Sequence, residues 1–128
     1  MAIEFNVFLG EHLIGTTSFE HADPTMGVVY GTINFLESSF NYDFWVNYCR
    51  QNSIELLANE PDDRLVSTAN IDKLLAVNPN SGERLNPLSN QITGMDSDEF
   101  EITLMGIDSD QYERTFPEHM KEYEERFK

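Results

Sequence analysis

The stretch MDSDEFEITLMGIDSDQYE, residues 95–113, carries seven carboxylates and no Lys or Arg. Inside it Phe100, Ile102 and Leu104 alternate with Glu99, Glu101 and Thr103, which is the period-two pattern of a strand with one buried face. Further on the spacing changes. Tyr112, Phe116, Met120, Tyr123 and Phe127 follow one another at four, four, three and four residues, a helical stripe. Pro117 would clash inside one continuous helix, and Thr115 with Glu118 matches a Ser/Thr-x-x-Glu capping box. The spacing therefore predicts a strand, a short helix over 109–115 and a second helix from about 116 to the end. A strand passing directly into helices sets an α+β reading for the chain.

Toward the N-terminus, Ile3, Phe5, Val7 and Leu9 alternate in the same period-two way, and GEHL turns the chain into a returning strand over 13–19. A loop, EHADPTMG, precedes a third strand, VVYGTINFL, at 28–36; together these make an antiparallel meander. From Asn41 the apolar residues fall at helical spacing, with Phe44, Trp45, Tyr48 and Cys49 on one stripe, Asn41 as N-cap and Asp43 in the first turn. This predicts a helix over 41–52 packed on the meander, with Trp45 the member of the stripe closest to the surface. Shorter strands are expected near 54–58, 65–71 and 74–77, separated by the turns NEPDDR and NPNSG. The expected architecture is a single α+β domain over 1–128. It holds an antiparallel sheet with an N-terminal meander, one central helix and a broken C-terminal helix packed on it.

Composition bounds the function. The 128 residues include 23 acids against 8 bases, a formal net charge of −15, which repels nucleic acid and anionic membranes and attracts basic surfaces. The charge is unevenly placed: residues 1–49 carry six acids and no Lys or Arg, and 96–113 carry seven acids and none. On the C-terminal helix, by contrast, Glu118 can meet Lys121, Glu122 can meet Arg126 and Glu124 can meet Lys128. A single cysteine, Cys49, precludes an internal disulfide and reads as a buried apolar residue of a reducing compartment. No basic leader or long apolar run opens the chain, so a soluble cytoplasmic protein is expected.

Motifs for chemistry are weak. Asp96 and Asp98 occupy two alternating positions of a calcium loop, but Phe100 and Glu101 stand where an oxygen ligand and a glycine belong. His12, His21 and His119 lacks paired metal-site spacing as a set, and neither a nucleophile elbow nor a glycine-rich phosphate loop is present. No metal, cofactor or enzymatic activity is expected. For Asp108 and Asp110 the plain reading is a helix start, and for Glu99 and Glu101 it is protection of an edge strand; both are compatible with a surface that binds something basic.

The segments DPTMGVVYG (23–31) and YERTFPEHMKEYEERF (112–127), in a small and strongly acidic chain, resemble the immunity proteins of bacterial contact-dependent growth inhibition and related toxin systems. The resemblance implies a cognate toxin domain with a basic cleft, most often a nuclease, neutralised by occlusion, and no direct contact with nucleic acid or membrane. The residues expected to bind it are Asp96, Asp98, Glu99, Glu101, Asp108, Asp110 and Glu113, with Tyr112 as an aromatic anchor. The alternatives are an acidic protein that mimics nucleic acid on a DNA-binding protein, and an adaptor domain.

Overall fold

The computed structural model describes residues 3–126. Its strands are β1 (Phe5–Leu9), β2 (His12–Thr17), β3 (His21–Asp23), β4 (Val28–Thr32), β5 (Asn34–Phe35), β6 (Leu56–Glu60), β7 (Leu65–Thr68), β8 (Leu74–Val77), β9 (Ser89–Met95) and β10 (Phe100–Met105). The helices are α1 (Tyr42–Gln51), α2 (Ser109–Thr115) and α3 (Pro117–Arg126). The strands form two antiparallel sheets, one ordered β5-β2-β1-β8 and the other β3-β4-β10-β9-β7-β6. The α+β class holds, with two sheets in place of the single one expected.

The reason for two sheets lies in the third expected strand. It breaks at Ile33, which is buried and donates its N–H to the Phe100 carbonyl at 2.9 Å. Before the break, β4 pairs with β10 and β3; after it, β5 pairs with β2 through Gly15–Phe35 and Thr16–Asn34. The meander therefore survives as β1-β2-β5, closed by two residues, while the rest of that strand serves the other sheet.

The expected strand at 100–104 forms as β10, with Phe100, Ile102 and Leu104 buried. Its place is central, between β4 and β9, so Glu101 does not protect an edge as expected; the edges of this sheet are β3 and β6. The partner β9 has no counterpart in the sequence reading. Its inward positions include Asn90, which is buried because its side chain accepts from the Ile71 N–H and donates to the Ile71 carbonyl, both at 2.9 Å. A satisfied polar group hides the alternation of the strand.

Helix α1 starts as expected, the Asn41 side chain accepting from the Phe44 N–H at 3.1 Å. Trp45 corrects the reading above: it is fully buried, with Phe44 set edge-on at 5.0 Å and Phe35 at 6.0 Å. Cys49 is buried beside it, and burial raises its thiol pKa. One continuous core spans both sheets and α1 and reaches Tyr112 and Phe116 at the C-terminal end.

Helix α2 has the expected bounds and α3 begins at Pro117. The capping box does not form. Thr115 closes α2, its buried hydroxyl has no hydrogen-bond partner among the described residues, and proline at the first helical position starts α3 instead. The α3 ion pairs Glu118–Lys121 and Glu122–Arg126 are not closed; the ion pairs among the described residues join Arg64 to Asp43 and Asp96, and Arg114 to Glu83. Phe127 and the Glu124–Lys128 pair lie outside the described residues.

Candidate functional site

Of the eight residues expected to bind a partner, six fall in two separate groups, Glu101 lies between them on β10, and Tyr112 lies in the core. Asp96, Asp98 and Glu99 form the turn from β9 to β10, where the Asp98 N–H donates to the Met95 carbonyl at 3.0 Å. Asp108, Asp110 and Glu113 lie beyond the other end of β10, exposed on α2 and its cap. Six strand residues separate the two groups, about 20 Å at the rise of an extended chain. They do not share one patch. Glu101 is half-buried on the outer face of β10, between Thr32 and Thr93.

Tyr112 is a correction. It is 2% exposed, and its hydroxyl donates to the Val28 carbonyl at 3.0 Å, so it cannot serve as a surface anchor. Burial raises its phenol pKa, with the nearby Asp23 adding to the shift. Asp108 takes the plain role, its carboxylate accepting the Asp110 N–H at 3.2 Å as the cap of α2.

At the β9–β10 turn the hairpin is tied to the start of α1. One Asp96 oxygen accepts the Tyr42 N–H at 2.8 Å and the other accepts from Arg64 Nε at 2.5 Å. Arg64 also donates to Asp43 at 2.8 Å and lies over the Tyr42 ring, 5.2 Å from its centroid. Hydrogen bonds to Asp43 and then to Asp96 raise the guanidinium pKa above its ordinary value. The cation placed among these acids is therefore already engaged.

Other segments bring more carboxylates to this end. Asp62 and Asp63, in the turn from β6 to β7, share a surface recess with Asp96 and Ser97. Glu37 and Asp98 edge a shallow depression of about 470 Å³ whose lining includes Phe35, Phe40 and Phe100. Glu99 accepts from the Thr32 hydroxyl at 3.0 Å, and Glu20 accepts the Thr32 N–H at 3.2 Å. Three of the six acids of residues 1–49, Glu20, Glu37 and Asp43, thus join the 96–99 end.

The sequence reading missed Glu20, Glu37, Asp43, Asp62 and Asp63 as members of this surface. The acid pair in NEPDDR was visible, but its place depends on β7 lying beside β9, a long-range pairing that no local pattern encodes. Among the described residues no group of three or more His, Cys, Asp and Glu side chains is arranged to hold a metal ion. No described helix is long and apolar enough to cross a membrane. Comparison of the chain with protein families, curated proteins and solved structures finds no match.

Proposed function

We propose that this is an immunity protein, which binds a cognate toxin domain of nuclease type in the cytoplasm and neutralises it by placing the acidic end of the β9–β10 turn over its basic cleft. The observation that carries this reading is convergence. Carboxylates from separate segments meet at this end: Asp62 and Asp63 share a recess with Asp96 and Arg64, Glu37 and Asp98 edge the neighbouring depression that Asp96 also lines, and the arginine among them is already engaged by Asp43 and Asp96. Such a field speeds encounter with a phosphate-binding groove, toward about 10⁸–10⁹ M⁻¹s⁻¹ at low salt. The aromatic lining beside Glu37 and Asp98 supplies apolar area for the stem of a lysine or arginine from the partner.

The test is co-expression with the product of the neighbouring reading frame, followed by stopped-flow association at several salt concentrations. Binding to one partner is expected, slowed and made less salt-dependent by Asp62→Lys, Asp63→Lys, Asp98→Lys and Glu99→Lys together. An unchanged rate and salt slope in that variant would overturn the reading. Displacement of DNA from several unrelated basic proteins would favour nucleic-acid mimicry instead.

A further inference from the structure

The opposite end of the molecule carries exposed apolar side chains that the acidic end does not explain. Met26 is 66% exposed and Leu88 is 88% exposed, in a chain where most large apolar residues are buried. They flank one crossing of the backbone. Gly27, at φ 65°, accepts the Ile107 N–H at 3.0 Å, and a Cβ there would stand 2.6 Å from the Ile107 oxygen. On Gly106, at φ 74°, a Cβ would meet the Leu88 side chain at 2.9 Å. Gly27 lets the Pro24–Met26 turn close on the segment that leads into α2, Gly106 lets Leu88 lie against that segment, and beside this crossing a groove of about 370 Å³ remains open.

The groove is lined by Pro24, Met26, Ile107, Tyr112, Glu113 and Met120. Methionine side chains are flexible and polarisable and repack around varied apolar partners. Around this apolar lining stand exposed carboxylates: Glu113 in the groove, Asp108 and Asp110 on the adjoining start of α2, and Asp23 just before Pro24. The nearest arginine in sequence, Arg114, is ion-paired with Glu83 at 2.5 Å and feels Asp110 and Asp108 only as further charges, so the acids at this edge outnumber the cation beside them.

We propose that this groove docks an amphipathic, lysine- or arginine-rich helical segment of a partner protein, its apolar face between Met26 and Met120 and its cations against Asp108, Asp110 and Glu113. Charge selects this occupant. A second copy of the chain would bring the same carboxylates face to face at a net charge of −15 each, whereas a basic helix meets them with opposite sign. The groove lies at the far end of β10 from the 96–99 turn, so the two surfaces stand or fall separately.

The test titrates ¹⁵N-labelled full-length protein with a synthetic peptide that has leucines at helical spacing and lysines elsewhere, against a peptide of equal composition whose leucines are scattered. Amide shifts at Met26, Gly27, Gly106 and Ile107 are expected with the patterned peptide only. Affinity is expected to fall about tenfold in Met26→Ser, an exposed lining position whose change leaves the core intact. Glu113→Lys is expected to weaken binding further. Shifts confined to residues 96–99, equal binding of the scattered peptide, or the same shifts produced by raising protein concentration alone would each overturn the proposal.

Discussion

Asp96 accepts a hydrogen bond from Arg64 at 2.5 Å across the ends of β9 and β7, and through its other oxygen it also holds the first N–H of α1. A residue expected to face a partner is thus a fastener between a hairpin and a helix. Asp96→Ala removes an acceptor from the helix start and is expected to cost about 1–2 kcal/mol, a fall of several degrees in Tm. Asp96→Asn, which can still accept from Tyr42, is expected to cost less. Thermal unfolding of the two variants checks the order, and equal losses would contradict it.

Trp45 is the sole tryptophan and has no accessible surface, so native emission is expected to be blue-shifted and to move red on unfolding. Trp45→Ala is expected to cost about 3–5 kcal/mol, a large part of the stability of a domain this size. Trp45→Phe is expected to cost distinctly less, because the buried indole N–H has no hydrogen-bond partner among the described residues and its removal leaves no acceptor unpaired. Urea unfolding followed by circular dichroism measures both.

Glu83 is held below the ordinary carboxylate range by its hydrogen bond from Arg114, then by that from Gln111. A carboxylate with a depressed folded pKa contributes stability that is fully present above its unfolded value and is lost as pH falls through the folded one. The difference in Tm between the native sequence and Glu83→Gln is therefore expected to be constant near neutrality and to shrink on acidification. Taking the difference removes the opposing gain that follows when protonation relieves the excess negative charge. A difference that grows at low pH would contradict the assignment.

The carboxylates at the β9–β10 end repel one another with little to offset them. Asp62→Asn, Asp63→Asn and Asp98→Asn together are expected to raise Tm at low salt, with the gain fading as salt is added. A protein more stable without these acids holds them for something other than folding. Loss of stability at low salt in this variant would show that they serve the fold itself.

Local pattern sufficed for the elements that bury a regular stripe. Phe100, Ile102 and Leu104 marked β10, Asn41 and Asp43 marked the start of α1, and α2 formed at its expected bounds. It failed where burial was polar or tertiary. Asn90 hid β9 because its amide is satisfied by Ile71. Ile33 moved half a strand into a second sheet through one contact with Phe100. For the candidate site, the acids of 96–99 were legible and their neighbours were not, since Asp62, Asp63 and Glu37 reach them only through the fold. Tyr112 misled because a helical stripe beside acids reads alike from its wet and its dry side.

Because Thr32 pairs with Glu101, the second sheet joins the first quarter of the chain to the last. During synthesis β4 has to wait, with its inner face uncovered, until β10 leaves the ribosome. Ile33 couples β5 to the same event, so the first sheet cannot be sealed much earlier than the second. Folding on the ribosome is thus expected to be late and all at once, which leaves the nascent chain dependent on its own acidity, and on chaperones, to stay apart from its neighbours.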